Sequence, residues 1–99
     1  MSDPLPEVRH NTAAQRFEAE VDGALARADY KRQGDVMRMV HTEVPRALEG
    51  RGIAAALVRA AFDHARAQGL RIEPACSYVA TYMRRHAETQ DLLAPGTTL

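Results

Sequence analysis

Between Arg16 and Gln68 the spacing of apolar residues changes once, from every second position to every third or fourth. A period of two belongs to a half-buried strand and a period near 3.6 to an amphipathic helix. The chain must therefore build a sheet first and lay a helix on it afterwards. Phe17, Ala19 and Val21 alternate with Arg16, Glu18 and Glu20, and Asp22-Gly23 is a two-residue hairpin signal. Ala26, Ala28 and Tyr30 then oppose Arg27, Asp29 and Lys31 on a second strand. Gln33-Gly34-Asp35 turns the chain into a third strand, Val36 to Val44, on which Met37, Met39, His41 and Glu43 share a face by parity. A short strand near Val8 is expected to precede these. After Pro45 the stripe Ile53, Leu57, Val58, Ala61, Phe62 and Ala65 predicts one helix, with Arg59, Asp63, Arg66 and Gln68 facing away and Gly69 ending it. Leu70 to Glu73 is a short strand stopped by Pro74, and a second helix runs from about Ser77 to His86. Strand, helix and strand in this order form a crossover that pairs the two strands in parallel.

The chain of 99 residues supports one domain with a modest core, expected over 7–93 with flexible ends at 1–6 and 94–99. Thirteen basic and thirteen acidic side chains balance, which argues against a nucleic-acid groove or an anionic membrane surface as partner. No apolar run is long enough to span a bilayer, and the polar, proline-containing start does not read as a signal peptide. Cys76 is the sole cysteine, so no internal disulfide forms and a reducing, cytoplasmic setting is expected. The four histidines and Cys76 are scattered without ligand spacing, and no metal is expected.

Gly50-Arg51-Gly52-Ile53-Ala54 opens the long helix. Free backbone N–H groups and the helix dipole at such a start suit a phosphate or pyrophosphate. An ordinary glycine loop before a helix is the plain alternative. A P-loop needs a lysine and a hydroxyl residue after its second glycine, and neither is present. Gly50-x-Gly52-x-x-Ala55, with Glu73 at a later strand end, matches a dinucleotide fingerprint. Five residues, Pro45 to Glu49, nevertheless separate those glycines from their strand, and the preceding meander is antiparallel.

The order of motifs resembles the GCN5-related N-acetyltransferases. That family's coenzyme A motif, Gln or Arg, two residues, Gly, one residue, Gly or Ala, falls on Glu49, Gly52 and Ala54, departing at Glu49. His41-Thr42-Glu43-Val44-Pro45, Leu48 to Ala54, Cys76-Ser77-Tyr78 and Arg85-His86 together resemble its minimal single-domain group of about a hundred residues. The implied fold is α/β (α+β), a trimmed N-acyltransferase fold in which an antiparallel meander is followed by strand, loop, helix, strand and helix. The implied co-substrate is acetyl-coenzyme A, held by Val44, by Gly50, Arg51, Gly52, Ile53, Ala54 and Ala55, and by Arg85. An anion at Glu49 repels a pyrophosphate, so binding leans on backbone amides and on Arg46 or Arg51, with Glu49 turned to solvent or paired with an arginine.

Acetyl transfer needs a base for the amine and an acid for the leaving thiolate. His41 and Glu43 are the candidate bases, His41 preferred because an imidazole titrates nearest neutrality; the plain alternative for His41 is a half-buried sheet histidine bonded to a neighbour. Cys76 follows a strand and precedes a helix, where terminal N–H groups favour a thiolate. Three roles stay open for it: a nucleophile that takes the acetyl group first, a residue lining the site, or a small buried apolar side chain. The resemblance places the family's acidic tyrosine on Tyr82, with Tyr78 one turn earlier. The implied function is N-acetyl transfer to an amine, as a protein lysine, a peptide or a small amine, by a monomer or weak dimer. A coenzyme A-binding module of the same fold and a small dinucleotide-binding protein are the alternatives.

Overall fold

Asp22 and Gly23 take φ of 52° and 77°, the paired left-handed conformations of a two-residue reversal, and the strands on either side close into a hairpin. The computed structural model describes residues 6–99, so most of the flexible start expected over 1–6 lies outside the described residues. Four strands precede the first α-helix: β1 (Arg9–Asn11), β2 (Arg16–Val21), β3 (Ala24–Gln33) and β4 (Val36–Glu43). A 3-10 turn at Arg46–Leu48 leads to α1 (Ile53–Gln68), then β5 (Arg71–Pro74), α2 (Ser77–Arg85) and a second 3-10 segment, Ala87–Leu92. The sheet runs in sequence order from β1 to β5, antiparallel through β4 and parallel between β4 and β5. The crossover through α1 accounts for that parallel pair.

All six stripe residues of α1 are buried, and they join Phe17, Ala19, Ala26, Ala28, Met37 and Met39 in a single core. Leu57, Val58 and Ala61 are completely buried. Burying a leucine or valine side chain stabilises the fold by about 1.5–3 kcal/mol. On α2, Val79, Tyr82 and Met83 complete the same core, and Tyr82 meets Phe62 of α1 edge to face at 5.8 Å. No helix among the described residues is long and apolar enough to cross a membrane.

The shared face expected of Met37, Met39, His41 and Glu43 does not exist. Tyr30 pairs with Met39 but Asp29 pairs with His41, so the register slips by one and Val40 has no opposite residue. Such a bulge inverts every side chain beyond it. Met37 and Met39 are buried in the core, while His41 and Glu43 project beside Asp29 and Arg27 on the opposite, charged face. Thr42, opposite buried Ala28, takes the core side instead.

That charged face holds Glu18, only 7% exposed, under Arg9, Asn11 and Arg16. Arg38 and Glu73 pair across β4 and β5 at 2.8 Å. At the carboxyl end, Ala94 of the tail expected to be flexible is packed instead. It is 8% exposed and its N–H donates to the Ile72 carbonyl at 2.8 Å, beside a parallel bridge between Ile72 and Leu93. These residues protect the outer edge of β5.

Candidate active site

The site begins where β4 and β5 part. Their register runs from Val36 and Arg71 to Met39 and Pro74. One further bond, from the Cys76 N–H to the Met39 carbonyl at 2.8 Å, closes the apex. Beyond it β4 continues to Glu43, and among the described residues no strand pairs with that edge. The free edge leads through Val44 to the glycine loop.

Gly52 is the N-cap of α1 with φ 77° and ψ 15°, a conformation that a side chain would strain. The Ala56 N–H donates to the Gly52 carbonyl, leaving the amides of Ile53, Ala54 and Ala55 without an intrahelical acceptor. No side chain caps them. They lie at a cleft of about 260 Å³ whose walls include Val44, Glu49, Gly50, Gly52 and Tyr78. Ala55 and Tyr78 also line a second cleft of about 210 Å³ between α1 and α2, so the two adjoin. Free amides and a helix dipole can hold an oxyanion in the first of them, and the donor set fits a pyrophosphate.

Each expected site residue has a definite place. Val44, Gly50, Gly52, Ile53, Ala54 and Ala55 line the first cleft together. The Arg51 guanidinium turns away from it and donates to Asp22 of the β2–β3 hairpin at 3.0 Å. Glu49 is exposed at the rim of the first cleft and has no ion-pair partner among the described residues. Arg46 likewise makes no ion pair there.

Cys76 is half-buried at the N-cap of α2, with its Sγ 3.6 Å from Thr42 Oγ1. That contact joins β4 to α2 at the apex of the wedge. The bulge sends His41 and Glu43 elsewhere. His41 Nε2 lies 3.8 Å from Glu43 Oε1, and Arg27 Nη2 lies 3.4 Å from Glu43 Oε2, all on the charged face. Arg27 Nε and Asp29 Oδ1 are buried beside them without hydrogen-bond partners. The candidate bases thus project from β4 on the side away from the Cys76 thiol.

Tyr82 is packed between Phe62 and the His86 ring, which stacks on it at 3.9 Å, and it lines the second cleft with Arg85. Tyr78 lines both clefts, and burial raises its hydroxyl above the usual phenol range, with Tyr82 adding to the rise and Arg59 opposing it. A phenol so placed stays protonated near neutrality. Two site residues escaped the sequence reading. Arg59, expected to face away, lines the second cleft; its spacing one turn after Ala55 was the available signal. Thr42 gave none, because its orientation depends on the bulge. Away from these clefts, His10 and His64, far apart in sequence, meet with ring centroids 4.4 Å apart.

Against known proteins, the profile of the GCN5-related N-acetyl-transferases matches residues 16–92. Protein NATD1 of Gallus gallus is 33% identical over 89 residues, covering 87% of this chain and 81% of the relative. Protein NATD1 of Homo sapiens is 33% identical over 88 residues, covering 86% and 78%. The NMR solution structure of a GCN5-like protein from Staphylococcus aureus superposes with a TM-score of 0.72 at 25% identity, covering 93% of this chain and 91% of that one. The trimmed α/β fold expected from the motifs is the one observed.

Proposed function

The chain belongs to the GCN5-related N-acetyltransferase family, and from that premise we propose that it transfers an acetyl group from acetyl-coenzyme A to an amine by way of Cys76. One observation carries the proposal: the unpaired edge of β4 joins an amide-lined cleft at one end to a thiol at the other. A pantetheine arm carries amides that suit the free edge, and a pyrophosphate suits the amides of Ile53 to Ala55. The Cys76 thiolate attacks the thioester carbonyl, the carbon–sulfur bond to the coenzyme breaks, and the leaving thiolate takes a proton from Tyr78. The amine then attacks acetyl-Cys76, the carbon–sulfur bond breaks to restore the thiolate, and the amine's proton returns to the Tyr78 phenolate, since His41 and Glu43 lie on the other side of β4. Tyr78 replaces Tyr82 in this scheme because Tyr78 lies in the first turn of α2, two residues after Cys76, whereas Tyr82 lies between two rings.

The edge of β4 beyond Met39 has no covering strand among the described residues, which suits the lysine of a protein or peptide, or a small polyamine, better than a metabolite needing full enclosure. A reducing, cytoplasmic setting keeps Cys76 a free thiol. A monomer or weak dimer satisfies this chemistry. Rapid-quench mass spectrometry with acetyl-coenzyme A is expected to find one added acetyl group on Cys76, discharged by lysine-bearing peptides. Unchanged turnover in Cys76→Ser would overturn the covalent route and leave direct transfer. Coenzyme binding with no discharge across peptides and polyamines would reduce the chain to a binding module.

A further inference from the structure

Four side chains from four elements meet on the helix-covered side of the sheet. His10 of β1 stands opposite Phe17 of β2 and lies flat on its ring, with centroids 4.2 Å apart and planes inclined by 10°. Tyr30 of β3 reaches the same imidazole, its hydroxyl 2.6 Å from His10 Nε2. From α1 the His64 ring meets it edge-on, at 4.4 Å and an angle of 71°. Phe17 and Tyr30 are buried, and both histidines are half-buried. The cluster ties a strand of three residues at the margin of the sheet to the long helix.

These contacts suit a neutral His10. Burial raises the Tyr30 hydroxyl above the usual phenol range, against the opposing Arg32 charge, so near neutrality the phenol keeps its hydrogen and donates it to Nε2. Nδ1 then carries the imidazole proton. A proton added at Nε2 leaves the buried phenol hydrogen without that acceptor, which is costly, and sets a cation against His64. The Phe17 ring attracts a cation, so the phenol and the second imidazole are what oppose the charge. No acid relieves it. Arg9 and Arg16 turn to Glu18 on the charged face, where Asp29 meets Arg27. Lys31 is exposed opposite Arg38, Glu7 lies with Arg9 and Glu20 at another cleft, and the Asp63 charge is felt at Arg66. His41 has a carboxylate within reach; among the described residues neither His10 nor His64 does. Burial first, and then His64, hold His10 below the ordinary imidazole range. Below about 6.5 a released β1 takes up a proton that the packed strand resists. Release therefore gains up to about tenfold per pH unit until the packed value is passed.

We propose that this cluster is an acid-opened latch: protonation of His10 frees β1 from α1 and from the edge of β2, uncovering Phe17, while β2 to β5 stay paired. The strand lengths permit this, since β1 offers three residues to β2 whereas all six of β2 pair with β3. The test is hydrogen–deuterium exchange of the full chain between about pH 8 and about pH 5, each rate taken relative to an unstructured amide at the same pH. Protection of the Arg9–Asn11 amides is expected to fall up to about tenfold per pH unit below about 6.5, with β3 and β4 unmoved. His10→Gln, whose amide oxygen can accept from Tyr30 but takes no proton, should abolish that dependence. Imidazole NMR titration of the wild type reads the same equilibrium without a variant, and His10 should titrate below the ordinary histidine value. Protection of β1 that ignores pH, or a loss spread evenly over all strands, overturns the latch. So does a His10 that titrates at the ordinary value, or an undiminished pH dependence in His10→Gln.

Discussion

Replacing Gly52 by alanine separates the anion cradle from the stability of the loop that carries it. Gly52 and Gly23 share φ of 77°, and an added Cβ meets nothing within 4 Å at either position. Both substitutions therefore carry the same cost, the strain of a left-handed residue with a side chain, and no steric clash inside the protein. That strain is about 1–2 kcal/mol. Reduced freedom of the unfolded chain returns about 0.4–1 kcal/mol, leaving a net loss near 1 kcal/mol. For a domain of this size that lowers Tm by about 4–8 °C. The two variants should melt alike, but their ligand affinities should differ. At Gly52 the methyl stands beside the amides of Ile53 to Ala55, and losing one charge-assisted hydrogen bond there weakens acetyl-coenzyme A by about 10- to 100-fold. At Gly23, in the hairpin, affinity is unchanged. The assay is calorimetric titration well below both melting temperatures, with melts of the free proteins alongside. Wild-type affinity in Gly52→Ala, with Tm lowered as in Gly23→Ala, would refute the cradle. A matching loss of affinity in Gly23→Ala would show that the effect is global.

Thr42→Val keeps the β-branched shape but removes the hydroxyl 3.6 Å from the thiol; alkylation of Cys76 by iodoacetamide should slow about 2- to 10-fold, with Thr42→Ser restoring it, and equal rates in all three proteins would dismiss the contact. Glu18 is held below the usual carboxylate range chiefly by its hydrogen bond to Arg16, with Asn11 and Arg9 contributing and burial opposing. Its stabilisation is complete above the ordinary glutamate value of about 4.3 and is lost as pH falls through the lower folded-state value. Melts over that acid range should fall more steeply for the wild type than for Glu18→Gln, and parallel curves would refute the linkage. His10 is pushed below its ordinary value first by burial and then by His64. As pH falls below about 6.5 the unfolded chain takes up a proton that the folded chain resists, so stability declines until the folded-state value is passed. His10→Gln should flatten that part of the Tm profile, and an unchanged slope would exclude His10 as its source.

Much of the fold was legible because local patterns and tertiary demands agree. Phe17, Ala19, Ala26 and Ala28 alternate in sequence and are buried together, and the α1 stripe from Ile53 to Ala65 is the buried face of that helix. The uncapped start of α1 was legible for a related reason: glycines before an apolar stripe imply a helix start whose first amides lack acceptors. The direction of the Arg51 guanidinium was not legible, because proximity in sequence says nothing about direction and its partner Asp22 lies 29 residues away.

By itself the sequence determined the order of elements, the parallel crossover and the glycine-lined entrance to α1, since each rests on periodicity or on the conformational freedom of a local residue. Only the tertiary structure decided which side of β4 carries which chemistry. The bulge at Val40 turns Thr42 toward the thiol and sends His41 and Glu43 to the charged face. Parity counting fails there because register is a property of two strands packed against a core, and one unpaired residue reverses every orientation after it.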